Sequence, residues 1–169
     1  IVRTTCRQLV HILNRSVLFL PVDEGDKAPL IFAAGEKTIS ASVLKSEAEA
    51  VRWAEENSSQ SGAFTPHFPE CTCRYLSIYS GANRFGVIAI DMDGRPFPDF
   101  ENTILLSIVH ECTMALDNER MGQEQKKAEI LAENERLRAG LLRSLSHDLR
   151  TPLTSISGNA STLRRNEDD

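Results

Sequence analysis

Arg84-Phe85-Gly86-Val87-Ile88-Ala89-Ile90-Asp91 is the stretch on which the fold turns. Its apolar, β-branched run reads as a strand, and Asn83 in front of it as a turn. Arg74 to Tyr79, before that turn, is strand-like as well, so the two make a closing hairpin. Further toward the N-terminus, Ser46 to Asn57 reads as a helix. It turns Ala50, Val51, Trp53 and Ala54 inward, with Ser46 capping beside Glu49. Asn57 to Gly62 breaks it. Leu30-Ile31-Phe32-Ala33 is a short strand and Glu24-Gly25-Asp26 a turn. Ser16-Val17-Leu18-Phe19-Leu20-Pro21-Val22 is a buried strand. Thr4 to Asn14 carries Cys6, Leu9, Val10 and Leu13 at helical spacing. Helix, strands, helix and hairpin in that order predict one α+β domain, a mainly antiparallel sheet flanked by helices.

The composition narrows the function classes. With 169 residues, 41% of them hydrophobic, the chain can bury one modest core and carry extra helical segments. A net charge of -5 and a pI near 5.4 argue against a nucleic-acid binder. No apolar run approaches the roughly eighteen residues that span a bilayer, so the chain is expected to be soluble. Ile1-Val2-Arg3 shows neither an initiator methionine nor a secretory leader, which predicts a segment of something longer. The four cysteines, Cys6, Cys71, Cys73 and Cys112, are too scattered for a disulfide framework and read as free thiols in a reducing setting. Cys71-Thr72-Cys73 near His67 has the look of a metal site. A structural zinc wants four ligands, however, and the fourth is missing locally, so no metal is expected.

The C-terminal half reads as one helix. Asp99 after Pro98 is a good start, because its carboxylate can cap free N–H groups, and Glu101 favours the positive end. Ile104, Ile108, Cys112 and Ala115 begin a helical stripe, and nothing compels a stop before Gly158 or Arg164-Arg165. Gly122 and Gly140 are weak points. A helix from Asp99 to about Leu163 would be roughly 100 Å long, too long to stand alone, so a partner helix is implied. Ile130, Asn134, Leu137 and Leu141 have the spacing of a parallel coiled-coil seam. Asn134 would occupy a core position that fixes register and two-strandedness. Leu145 adds a second spacing of four, a stutter that locally unwinds a supercoil and suits the relay of a small rotation. The alternative is a solvated helix whose Asn134 faces water.

Within that helix stands Ser144-Leu145-Ser146-His147-Asp148-Leu149-Arg150-Thr151-Pro152-Leu153. Histidine is the side chain whose neutral, nucleophilic form dominates near pH 7. Asp148 can accept a hydrogen bond from one ring N–H and leave the other nitrogen free to attack, and Thr151 lies one turn on. A helical histidine can also be merely solvated. Here Leu142, Leu145, Leu149, Leu153, Ile156, Ala160 and Leu163 form an apolar stripe from which His147 is excluded. Pro152 also bends the helix, and a purely structural helix would rarely carry it there.

The block resembles the phosphoacceptor box of two-component sensor histidine kinases, His-acidic-x-x-Thr/Asn-Pro. The part before it resembles a GAF domain, on Trp53-Ala54-Glu55-Glu56-Asn57, the Gly62 and Thr65 loop and Phe85-Gly86-Val87-Ile88. Together they look like a KdpD-type sensor kinase. The resemblance implies a GAF-like sensory domain over 1–120, a coiled-coil linker over 121–140 and the first, truncated helix of the dimerisation domain over 141–169. It makes His147 the phosphoacceptor, Asp148 the orienting group and base, and Thr151 the residue that positions water for dephosphorylation. It implies a homodimer through the long helix, a response regulator as partner, and a separate ATP-binding domain that supplies ATP and magnesium. No Asn-rich or Gly-rich box follows Pro152, so the fragment is expected to hold the acceptor without the kinase and no cofactor of its own. It would be the cytoplasmic part of a membrane-anchored, potassium- or osmotic-stress-responsive protein. A small ligand could sit against Trp53, Phe64, Phe68 and Tyr75, although these aromatics serve equally as packing. The loop from Ala63 to Cys73 departs from relatives and puts any inherited ligand preference in doubt. The alternative is a GAF-type binding or dimerisation module with no phosphotransfer.

Overall fold

The computed structural model describes residues 1–22 and 29–166, with side chains to residue 150. The elements are α1 (Val2–Leu13), β1 (Val17–Pro21), β2 (Leu30–Phe32), α2 (Ala41–Ser46), α3 (Ala48–Glu56), β3 (Gln60–Gly62), β4 (Cys73–Ser80), β5 (Asn83–Asp91) and α4 (Asp99–Asn166). The strands form one sheet in the order β2-β1-β5-β4-β3, each neighbouring pair antiparallel. The fold class is therefore the expected one, an antiparallel sheet flanked by helices and followed by a long C-terminal helix. By its packing the chain divides into two units, Ile1–Arg120 and Met121–Asp169, and α4 contributes to both.

Strand β5 is central because both of its faces are apolar. Ile88 and Ile90 face Cys6, Leu9 and Leu13 of α1 and Leu105, Val109 and Cys112 of α4. Val87 and Ala89 share the other face with Leu18, Tyr75 and the small residues Ala50 and Ala54 of α3. A strand covered on both sides reads as a continuous apolar run, whereas one with a wet face alternates. Burying these side chains is the main source of stability, at about 25 cal/mol for each Å² of apolar surface. Gly86 lies where β5 crosses β1 at Pro21, with φ +154°, and a Cβ there would overlap the Leu20 carbonyl and the Phe19 ring. Gly62 has φ +90°, and a Cβ would overlap the Cys73 carbonyl.

Some details differ from the expectations. The helix expected over Ser46 to Asn57 is α3, and a separate short helix that was not expected, α2, precedes it. Ser46 closes α2, its hydroxyl donating to Val43 O at 2.9 Å, and it does not cap α3. The real side-chain cap is Ser40, which accepts from the Val43 N–H. Asn83 opens β5, paired with Ser80, and is not the turn. Within the expected break, Gln60–Gly62 pairs with β4 as an edge strand. The expected Glu24-Gly25-Asp26 turn lies outside the described residues. Among the described residues, no helix is long and apolar enough to cross a membrane.

Candidate functional site

His147 stands on α4 with its side chain 81% exposed, and the neighbouring Asp148 side chain is 73% exposed. His147 Nδ1 lies 3.5 Å from Asp148 Oδ1, at the outer edge of hydrogen-bond range. With the carboxylate on the Nδ1 side, Nε2 is the ring nitrogen facing away from Asp148. Thr151 and Pro152 continue the same helix, and their side chains lie outside the described residues. Every described residue from Met121 to Arg150 is exposed. Among them are Ile130, Leu131, Leu137, Leu141, Leu142, Leu145 and Leu149, a row of large apolar side chains with no cover in the single chain. Asn134, which the spacing places in that row, is exposed too.

Residues 137–169 match the model of the His Kinase A (phospho-acceptor) domain. The Sensor protein KdpD of Clostridium acetobutylicum is 31% identical over 163 residues, covering 95% of this chain and 18% of that protein. The chain is thus similar to a segment of the KdpD sensor proteins. The Sensor protein KdpD of Escherichia coli (strain K12) is 27% identical over 152 residues, 88% of this chain and 16% of the relative. The chain thus spans less than a fifth of the length of the KdpD relatives it matches. Among solved structures, the GAF domain of the potassium sensor histidine kinase KdpD from Escherichia coli superposes with a TM-score of 0.48 at 18% identity. That match covers 69% of this chain and 78% of the other.

The four aromatic residues singled out within residues 1–120 differ in their surroundings. Tyr75 is fully buried and Phe68 packs against the same cluster. Trp53 instead stacks on His67, with ring centroids 3.9 Å apart, and Phe64 is exposed. Phe64 and Phe68 both have a positive φ, 59° and 62°, an uncommon conformation for bulky residues. Thr65 ties this loop down, its hydroxyl donating at 2.8 Å to the carbonyls of Gly62 and His67.

The polar centre of this face is Glu47, between α2 and α3, which sequence reasoning passed over. Its carboxylate is buried and takes three hydrogen bonds: from Thr72 N–H at 2.6 Å, Cys73 N–H at 3.2 Å and Tyr75 O–H at 2.7 Å. Burial and the hydrogen bond to Glu47 push the Tyr75 hydroxyl well above its ordinary pKa. Burial, and then the Glu47 charge, raise Cys73 to about 12 and Cys71 to about 11. All four cysteines are free thiols, and burial raises Cys6 to about 12 as well. A glutamate just ahead of α3 looks like an ordinary helix-start residue, and only the pairing of distant β4 against it reveals its role.

Proposed function

We propose that the chain is the sensory and phosphoacceptor segment of a two-component sensor histidine kinase. In this reading His147 takes a phosphoryl group from ATP and passes it to a response regulator. The observation that carries it is the exposed His147 imidazole beside the Asp148 carboxylate, within the stretch matched by the phosphoacceptor model. Nε2 attacks the γ-phosphorus, a P–N bond forms, and the P–O bond to the departing ADP breaks. Asp148 holds the ring and receives the ring proton. Thr151, one turn on, positions water when the phosphorylated partner is dephosphorylated. ATP and magnesium are held by a separate ATP-binding domain, and this segment carries no cofactor of its own.

The same reading assigns residues 1–120 to sensing, 121–140 to a coiled-coil linker and 141–169 to the first helix of the dimerisation domain. The exposed apolar row of α4 supports a homodimer through this helix. On the KdpD resemblance, the whole protein is membrane-anchored with this part in the cytoplasm and responds to potassium or osmotic stress.

The test mixes the chain with a separately prepared ATP-binding domain of a KdpD relative, magnesium and labelled ATP, and looks for acid-labile phosphate on the chain. Wild type is expected to be labelled and His147→Gln to carry none. Label persisting in His147→Gln would exclude His147 as the acceptor. No label in wild type, together with a ligand-dependent rise in Tm, would favour a GAF-type binding module without phosphotransfer.

A further inference from the structure

A cavity of about 590 Å³ opens at the end of the sheet where β1 starts and β2 and β5 stop. Three loops wall it, from α1 to β1, from β2 to α2 and from β5 to α4. Each turns through a left-handed residue that lines the cavity: Asn14 at φ 49°, Gly35 at φ 67° and Asp93 at φ 47°. The loops are also tied to one another. The Ser16 hydroxyl donates to Lys37 O at 2.5 Å and accepts from the Ala34 N–H at 3.1 Å. Arg15 Nη1 donates to the carbonyls of Met92 and Arg95. Walls held this way need little ordering when a ligand binds.

The lining carries three cations, Arg15, Lys37 and Arg95, and three carboxylates, Asp91, Asp93 and Glu101. They do not cancel in pairs. Asp93 takes both Lys37, at 2.8 Å, and Arg95, at 3.3 Å. Asp91 accepts the Asp93 N–H at 3.0 Å and lies in the field of Lys37. That leaves Arg15 and Glu101, both half-buried. The Arg15 guanidinium stands 4.7 Å from the Phe97 ring centre, and both of its hydrogen bonds are made by Nη1 to neutral carbonyls. Carbonyls orient a guanidinium without supplying a counter-charge. Glu101, in the first turn of α4, accepts no hydrogen bond on its carboxylate, and among the described residues neither it nor Arg15 forms an ion pair.

We propose that this cavity binds a small zwitterion of the α-amino-acid class. Its carboxylate lies on Arg15, its ammonium on Glu101 and its side chain against Leu13, Ala34 and Pro96. The charges of the lining sum to zero, so a net anion or cation would bring in a charge that nothing balances. A zwitterion leaves that sum unchanged and meets both unpaired groups. A phosphate dianion would face Asp91 and Glu101 as like charges, and a metal cation would face Arg15. The planar fork of the guanidinium matches a carboxylate, and the volume falls in the range of small-molecule sites. All of the lining lies within residues 1–120, and the binding test does not depend on phosphotransfer at His147.

The experiment adds L-norvaline to the chain at constant neutral pH and ionic strength and follows Tm and the amide resonances. Norvaline should raise Tm with concentration and shift the Gly35 and Asp93 amides. N-acetyl-L-norvaline lacks the ammonium and L-norvalinamide lacks the carboxylate, so each should bind at least about tenfold more weakly. Glycine, without the apolar side chain, should also bind more weakly than norvaline. Glu101→Gln should keep the ligand-free Tm close to that of wild type, because the carboxylate has no partner to lose, and should weaken norvaline at least about tenfold. Arg15→Gln removes the cation, keeps a donor for the carbonyls and should weaken norvaline as much. The proposal is overturned if norvaline changes neither Tm nor these amides, or if N-acetylnorvaline or norvalinamide matches it. An undiminished norvaline effect in Glu101→Gln or Arg15→Gln would overturn it too. Inorganic phosphate acting as strongly as norvaline would make the cavity an anion site and rule out the zwitterion.

Discussion

Glu47 satisfies three donors with one carboxylate, and its removal leaves a tyrosine hydroxyl and two backbone N–H groups buried without acceptors. Glu47→Ala is expected to cost about 3 kcal/mol, because unmade hydrogen bonds in the interior cost more than made ones contribute. Glu47→Gln keeps one acceptor but turns an amide toward donors, and about 2 kcal/mol is expected. Urea denaturation followed by circular dichroism measures both, and a loss below about 0.5 kcal/mol for Glu47→Ala would contradict this account of the site. The buried thiols give a second test. Cys6 and Cys73 are raised to about 12 in the folded chain, from an ordinary value of 9.0. Above about pH 9 the unfolded chain releases these protons while the folded chain keeps them, so the folded state binds more protons. Their contribution is complete below about pH 9 and is lost as pH rises toward 12. The urea midpoint should therefore fall between about pH 8 and about pH 10, with a smaller fall in Cys6→Ala. His147 was singled out from its sequence neighbours alone, because the chemistry proposed for it is local. Glu47 was not, because its partners are brought by the register of β4 against distant residues.

At the scale of an element, identical substitutions should have opposite signs in β5 and α4. Gly86→Ala forces a Cβ onto the Leu20 carbonyl and the Phe19 ring, and β1 backbone must move to admit it. A loss of about 2 to 3 kcal/mol is expected. Gly122 lies within α4, and a Cβ there meets nothing within 4 Å. Gly122→Ala should favour the helix by up to about 1 kcal/mol. Urea midpoints for Gly86→Ala and helicity at 222 nm for Gly122→Ala decide the two signs, and a neutral Gly86→Ala would contradict the close approach of β5 to β1. Elements with strong periodicity were readable in advance, as α1, β1, β4 and β5 were to within a residue or two. Helix α2 was not, because it has only six residues and none of them is buried, and the break between it and α3 falls at Glu47, which meets β4. Strand β3, only Gln60–Gly62, has no periodicity to show, and its pairing with Arg74–Leu76 alone defines it.

For the whole molecule, the two units should differ in how they depend on concentration. Residues 1–120 enclose a core on both faces of a sheet, whereas every described residue from Met121 to Arg150 is exposed. Helix nucleation is unfavourable, and an isolated helix with no tertiary cover is marginal in water. The row from Ile130 to Leu149 supplies the missing cover only when a second helix packs on it. A peptide of residues 121–169 should therefore be largely unfolded when dilute and gain helicity as concentration rises, by circular dichroism at 222 nm. If Asn134 sits in the seam, Asn134→Leu should move that transition to lower concentration, since a buried polar residue sacrifices stability for register. On the proposed function, the same change should also alter phosphorylation of His147 in a full-length kinase, because the register that a buried Asn134 would fix precedes the double spacing of four from Leu137 through Leu145. Helicity that is high and independent of concentration would show that α4 needs no partner. An unchanged transition in Asn134→Leu would place Asn134 in water and leave the seam to the leucines.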